Sequence, residues 1–188
     1  MGLPKFGVHS DGPVWVPEQL SPDDDQTREV YAKYGLAMYL AQVIEHGLAN
    51  LVLYAGTFHR IVTDETHVDA LLDEMFSKTM GGQLHAVLGL IEFSEDQIER
   101  LQQVQKKRNM LAHSFWRERV GKTGSQAGRN DLLAELDAIC EEFGTVNTEM
   151  DWMAMALMGL QGITPEMFRA EVEQLKAEHP GDEQAGPV

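Results

Sequence analysis

Two apolar stripes with a seven-residue period constrain this chain more than any other feature of its sequence. Val30, Tyr34, Ala37, Ala41, Ile44, Leu48 and Leu51 follow one another at alternating steps of four and three. Leu136, Ile139, Phe143, Val146, Met150, Met153, Leu157 and Leu160 do the same in the second half of the chain. Steps of three and four keep side chains on one face of an α-helix, whereas the two-residue period of a strand would scatter them. Each stripe therefore predicts one long helix. The second is expected from Asp131 to about Gln161, roughly 45 Å of helix at 1.5 Å per residue. Small Ala37 and Ala41 let a neighbouring helix approach closely. The expected fold class is all-α, an up-and-down helical bundle of about five helices, two of them long.

Shorter segments fill in the bundle. Residues 1–24 hold Pro4, Pro13, Pro17 and Pro22 with no helical period, so they read as an extended, irregular N-terminal arm that Trp15 and Val16 can dock. Ser21-Pro22-Asp23-Asp24-Asp25 has the Pro and acids favoured at a helix start. A second helix is expected from about Thr66 to Lys78, with Val68, Leu71, Leu72, Met75 and Phe76 inward. Gly81-Gly82 interrupts it, and Leu84, Val87, Leu88 and Ile91 continue a short helix. Ser94-Glu95-Asp96-Gln97 has capping-box spacing and opens a helix that ends by Gly121. Gly121 to Gly128 reads as a flexible connection. Thr164-Pro165-Glu166 caps a last helix to about Glu178. The domain layout is thus an arm (1–24), a single helical-bundle domain (25–179) and a disordered tail (180–188).

Composition narrows the setting. No unbroken apolar run reaches the ~18 residues of a membrane span, and the start lacks the apolar core of a signal peptide. The single Cys140 lies on a helical apolar face and fits a reducing compartment, so the expected location is cytoplasmic, with no membrane partner. Glu45-His46 has no second carboxylate-and-His motif to complete a metal site. Gly81-Gly82 has neither the preceding strand nor the following Lys-Ser/Thr of a phosphate loop. No metal and no cofactor are therefore expected.

Charge is unevenly placed. The chain carries a net −15. Between Arg100 and Arg129, however, eight basic residues face one acid, Glu118, giving +7; the other 158 residues hold seven basic and 29 acidic residues, giving −22. Such an island on a repulsive surface would confine a polyanion to one place. The alternative is that these bases pair with acids of neighbouring helices.

Within the island lies Lys106-Lys107-Arg108-Asn109-Met110-Leu111-Ala112-His113-Ser114-Phe115-Trp116-Arg117. Ile98, Leu101, Val104, Leu111, Ala112 and Phe115 define its apolar face, and Arg108 falls near the middle of that face. A guanidinium keeps its proton, so an acidic neighbour must compensate it, or the position must open onto a cleft that receives an anion. His113 lies about 140° around the axis from Arg108, so the two would not meet on one undistorted helix. They converge if the helix ends or bends near Ala112, or if two copies face each other. A histidine exchanges protons near neutrality and an arginine offers a planar fork to phosphate. Asn109 could hold a phosphate oxygen or the imidazole. Together these groups suit metal-free cleavage of RNA.

Arg108-Asn109-x-x-x-His113 resembles the R-(polar)-x-x-x-H signature of HEPN domains, small all-helical ribonuclease and nucleotide-binding modules of bacterial toxin–antitoxin and antiphage systems. Gly35, Leu36, Ala37, Gln42, Glu45 and Leu48, and the segment Thr79-Met80-Gly81-Gly82-Gln83-Leu84, resemble the helices that precede that signature. The resemblance covers roughly residues 28–160. It implies a homodimer with the cleft at its interface, and a metal-independent endoribonuclease, a toxin or antiphage effector. Its catalytic residues would be Arg108, Asn109 and His113, with Lys106, Lys107, Arg117 and Arg119 holding RNA phosphates. An antitoxin or regulatory protein is the further partner it implies. Family members silenced by nucleotidyltransferase antitoxins have His-x-Tyr, and here Phe115 stands in that place, so tyrosine modification there is excluded. The competing expectation is a catalytically silent HEPN-like helical module that binds a nucleotide or a partner protein through the same groove.

Overall fold

A computed structural model describes residues 25–178. The expected arm and the expected tail lie outside the described residues. Among the described residues seven helices follow one another: α1 (Asp25–Phe58), α2 (Glu65–Ser77), α3 (Met80–Leu88), α4 (Glu95–His113), α5 (Phe115–Thr123), α6 (Gln126–Leu160) and α7 (Pro165–Glu178). The fold is all-α, with no strand among the described residues. Seven helices replace the expected five or so, and the two long ones are α1 and α6.

Polar contacts fix the directions of α1, α4, α5 and α6. Lys33 pairs with Asp137, Asn147 Nδ2 donates to the Leu40 carbonyl, and Gln161 Nε2 donates to the Tyr54 carbonyl. Both partners advance together, so α1 and α6 run parallel. Arg100 pairs with Glu149, Lys107 with Glu142, and Arg119 with Glu135. Here one number rises as the other falls, so α4 and α5 run antiparallel to α6. The bundle is therefore up, down, up, with α2 and α3 between the end of α1 and the start of α4.

The core sits where the two stripes meet. Val30, Ala37, Ala41, Ile44, Leu48 and Leu51 are buried against Leu136, Ile139, Phe143, Val146 and Met150, and Tyr34 is half-buried beside them. Val104, Leu111 and Phe115 close the same core from the third side. The second stripe loses cover at its end, where Leu160 is 68% exposed. Leu160 lies beyond the start of α4, which reaches α6 through the Arg100–Glu149 pair, so α4 does not cover it.

Four local expectations change. The motif helix does not run on to Gly121: it stops at His113, because Ser114 leaves helical geometry at φ −133°, and a second helix starts at Phe115. The Tyr34 hydroxyl donates to the Leu111 carbonyl (2.9 Å), taking up an acceptor in the last turn of α4. Tyr31, Tyr34, Phe115 and Trp116 pack ring to ring at centroid distances of 5.0–5.3 Å around this break. The connection expected over Gly121–Gly128 shrinks to Gly124-Ser125, since Ser125 caps α6 by accepting from Gly128 N–H (3.1 Å). Gly81 and Gly82 do not break a helix either. They form the first turn of α3, whose cap Thr79 accepts from Gly82 N–H. Phe76, expected inward, is half-exposed and packs against the ring of His46 at 4.8 Å.

Among the described residues, α1 alone is long and apolar enough to cross a membrane, and 39% of its most apolar window is buried inside the bundle. Its average apolarity comes from touching α2, α3, α4 and α6 at once. No unbroken run produces it.

Candidate nucleic-acid interface

The motif occupies the last two turns of α4. Arg108 faces α1, where its Nε donates to Glu45 Oε1 at 2.6 Å. The two side chains keep only 27% and 22% of their accessible surface. The anionic partner required by a half-buried guanidinium is therefore Glu45, one of the residues of the α1 segment that carries the resemblance. A carboxylate that engages Nε leaves the outer edge of the fork available. Nη1 turns along α4 and donates to Asn109 Oδ1 at 3.4 Å, and Nη2 makes no hydrogen bond among the described residues.

Asn109 and His113 lie one helical turn apart, which places them on the same side of α4, and both are exposed. His113 is the last residue of the helix and makes no side-chain hydrogen bond or ion pair among the described residues. Arg108 and His113 do not pair within one chain. On the surface of α4, Asn109 stands between them.

The four basic residues expected on phosphate divide into two groups. Lys107 is committed to Glu142 of α6. Arg119 is gripped by Glu135 through Nε (2.9 and 3.0 Å) and Nη2, and its guanidinium lies over the Phe115 ring at 4.6 Å. This pairing holds the Glu135 carboxyl below the usual carboxylate range, the hydrogen bond from Arg119 being the main cause, with burial opposing it. Lys106 and Arg117, by contrast, are exposed and unpaired among the described residues. Elsewhere in the island, Arg100 pairs with Glu149 at 2.9 Å and Lys122 with Asp131 at 3.7 Å. Much of the apparent +7 is thus balanced in space by acids of α6.

Glu45 is the residue whose place in the site the sequence did not give away, along with the α6 acids. A signal for the latter was present. Glu135, Glu142 and Glu149 recur every seven residues, as do Arg100 and Lys107, and two antiparallel helices with that spacing can pair rung by rung. Phe115 is buried against Tyr34 and Trp116. A hydroxyl at that position would start from the core, not from solvent.

His59, His67 and the lone cysteine have partners away from the motif. His59 Nε2 is 3.2 Å from the Leu90 carbonyl, and His67 sits among Thr63 and Asp64 at the start of α2. Cys140 is half-buried between α6 and α1, and burial pushes its thiol up from the ordinary value, away from the nucleophilic thiolate. Among the described residues no group of three or more His, Cys, Asp or Glu is placed to hold a metal ion. No protein-family model matches the chain, and no curated protein or solved structure matches it either.

Proposed function

We propose that this chain is a HEPN-type endoribonuclease that cleaves RNA without a metal ion, at a cleft shared by two copies. The observation that supports this reading most is the state of Arg108. Glu45 holds its guanidinium by Nε and leaves the outer nitrogens toward Asn109, and Asn109 and His113 line the exposed edge of α4 beyond it. A fixed cation, a polar positioning group and a titratable imidazole thus follow one another along one edge. One imidazole removes the proton from the ribose 2′-hydroxyl, and the 2′-oxygen attacks phosphorus. The P–O5′ bond breaks, and a second imidazole, from the other copy, protonates the departing 5′-oxygen. The products are a 2′,3′-cyclic phosphate and a 5′-hydroxyl. Arg108 stabilises charge on the phosphoryl oxygens, and Lys106 and Arg117 hold flanking phosphates. The reading puts this chemistry in a reducing cytoplasm, which the single cysteine fits, and gives the protein the role of a toxin or antiphage effector.

One observation favours a second reading. Lys107, Arg119, Arg100 and Lys122 are all ion-paired to α6. A bundle whose basic residues serve its own packing fits a silent module that binds a nucleotide or a partner protein. The purified chain, incubated with single-stranded RNA in EDTA, separates the two. Cleavage to cyclic-phosphate ends, reduced ~10²–10⁴-fold by His113→Ala with an unchanged melting curve, is the expected result. Wild-type protein inert toward RNA would decide for the silent module.

A further inference from the structure

Where α1 and α4 meet, Glu45 and Arg108 point at each other, and the core lies to one side of that line. On α1, Ala37, Ile44 and Leu48 turn into the core, about 60–100° around the helix from Glu45. Tyr31, Gly35 and Tyr39 turn the opposite way, by about 40°, 80° and 120°. On α4, Val104 and Leu111 turn inward from Arg108, and Ala112, Asn109 and His113 turn outward by about 40°, 100° and 140°. The two helices therefore present these six residues on one outer face of the bundle. Tyr31 is 44% exposed and Tyr39 61%, and the other four are exposed as well.

Tyr31, Gly35 and Tyr39 follow one another at one helical turn, so two aromatic rings bracket a residue with no side chain. A glycine in a helix interior is unfavourable relative to alanine. A Cβ at Gly35 would meet nothing within 4 Å, so packing among the described residues does not account for the glycine. Its effect is a gap in the surface of α1, about 12 Å from Tyr31 to Tyr39 along the axis. The Tyr34 hydroxyl reaches the Leu111 carbonyl, which sets Gly35 beside the last two turns of α4, where Asn109 and small Ala112 face outward. Trp116 backs Tyr31 at a centroid distance of 5.1 Å and steadies that ring. The walls of the gap, Tyr31, Tyr39, Ala112 and Asn109, carry no charge.

We propose that this gap is a slot for one unpaired nucleobase of RNA, stacked by Tyr31 and Tyr39 over Gly35. The inference rests on the ribonuclease reading of the motif and deepens it, since it makes the substrate single-stranded and puts contact with the base on α1. Tyrosine rings stack on the flat face of any base. Uncharged walls suit a neutral planar ring, and a gap between two rings, unlike a continuous apolar ridge, suits a flat insert. The sugar and phosphate fall to the adjoining edge of α4, which holds the outer nitrogens of Arg108, Asn109 and His113. Packed helices lie about 8–10 Å apart, a distance that one nucleotide spans from phosphate to base. A base inside a duplex is already stacked and paired, so only a single strand can fill the slot.

A short fluorescein-labelled oligouridine with 2′-O-methyl riboses cannot be cut, so its anisotropy reads binding to the full chain independently of activity. Tyr39→Ala should weaken binding about 5–100-fold, the loss of one base stack, and Tyr39→Phe should restore it. Gly35→Leu, which fills the gap, should weaken binding by a similar factor without lowering the melting temperature, because the added side chain meets open space. Leu36→Ala, about 180° around α1 from Glu45, should leave affinity unchanged. An oligomer of the same length without bases should bind wild type and Gly35→Leu equally weakly. A wild type that does not bind the oligouridine, or a Gly35→Leu or Tyr39→Ala variant that binds it as wild type does, would overturn the slot. So would a change in assembly mass by light scattering on Tyr39→Ala, which would assign the tyrosines to a contact between copies. If binding behaves as stated and unmodified RNA is not cut, the slot stands and the ribonuclease reading falls. If RNA is cut equally well by wild type and Gly35→Leu, the slot alone falls.

Discussion

Removing Arg108 should destabilise this protein, and the Arg108–Glu45 pair gives the size of the effect. The two groups are each about three-quarters covered and share a 2.6 Å hydrogen bond. Exposed ion pairs contribute about 0–1 kcal/mol, and breaking a fully buried one costs about 3–5 kcal/mol because the survivor is stranded. A pair covered to this degree falls between. Arg108→Ala should cost about 2–3 kcal/mol, partly from lost packing of the arginine stem and partly from Glu45 left without its cation. For a chain of this size that corresponds to a fall in Tm of roughly 4–12 °C. The pairwise part is isolated by a double-mutant cycle with Glu45→Ala, followed by urea melts at neutral pH. A coupling of about 1–2 kcal/mol is expected, with the double variant more stable than the sum of the singles implies. A coupling below about 0.3 kcal/mol, or an Arg108→Ala variant as stable as wild type, would mean that Glu45 does not hold the guanidinium in solution. The structural account of the motif would then fail.

Phe143 is fully buried where the two long helices meet, so Phe143→Ala should cost about 3–5 kcal/mol, and a change below about 1 kcal/mol in urea melts would refute the core assignment. A Cβ on Gly128 would fall on the backbone of Lys122, so Gly128→Ala must push α5 away from α6 and should lower Tm by several degrees, whereas Gly144→Ala, in open space, should raise it slightly. Arg119 holds the Glu135 carboxyl below its ordinary value, so the stability from this pair is present in full above the unfolded-state value of about 4.3 and is lost as pH falls through the lower folded-state value. Glu135→Gln should therefore flatten the decline in Tm on acidification below about pH 5 while lowering Tm at neutral pH, and an unchanged pH profile would show that the pair is not formed.

The long helices were legible because nearly every stripe residue does the same thing: it points at the other stripe. Periodicity reports that kind of burial directly. The break at Ser114 was not legible, because Leu111, Ala112 and Phe115 keep helical spacing across it. Its cause lies in α1, where Tyr34 reaches the Leu111 carbonyl and joins the rings of Phe115 and Trp116. The short α5–α6 turn was hidden for a similar reason. A glycine-rich stretch reads as slack, but Gly128 is small because α5 ends against it. In both places local composition suggested one structure and a distant contact determined another.

The charge island shows the same limit at the level of function. Counted along the chain, the segment from Arg100 to Arg129 is strongly positive; folded, it lies against Glu135, Glu142 and Glu149, which α6 presents once every seven residues. The ion pairs also fix register, since a slip of one residue between α4 and α6 would break Arg100–Glu149 and Lys107–Glu142 together. Basic residues that set register are poorly placed to release their partners to RNA. Any phosphate contact at this site must therefore come from groups the bundle does not use, namely Lys106, Arg117 and the outer nitrogens of Arg108. This makes the nucleic-acid reading specific: charge reversal at Lys106 or Arg117 should weaken RNA binding without lowering Tm, and reversal at Lys107 should lower Tm first. If Lys106→Glu leaves RNA affinity unchanged at low salt, where phosphate contacts count most, the exposed edge of α4 is not where RNA lies.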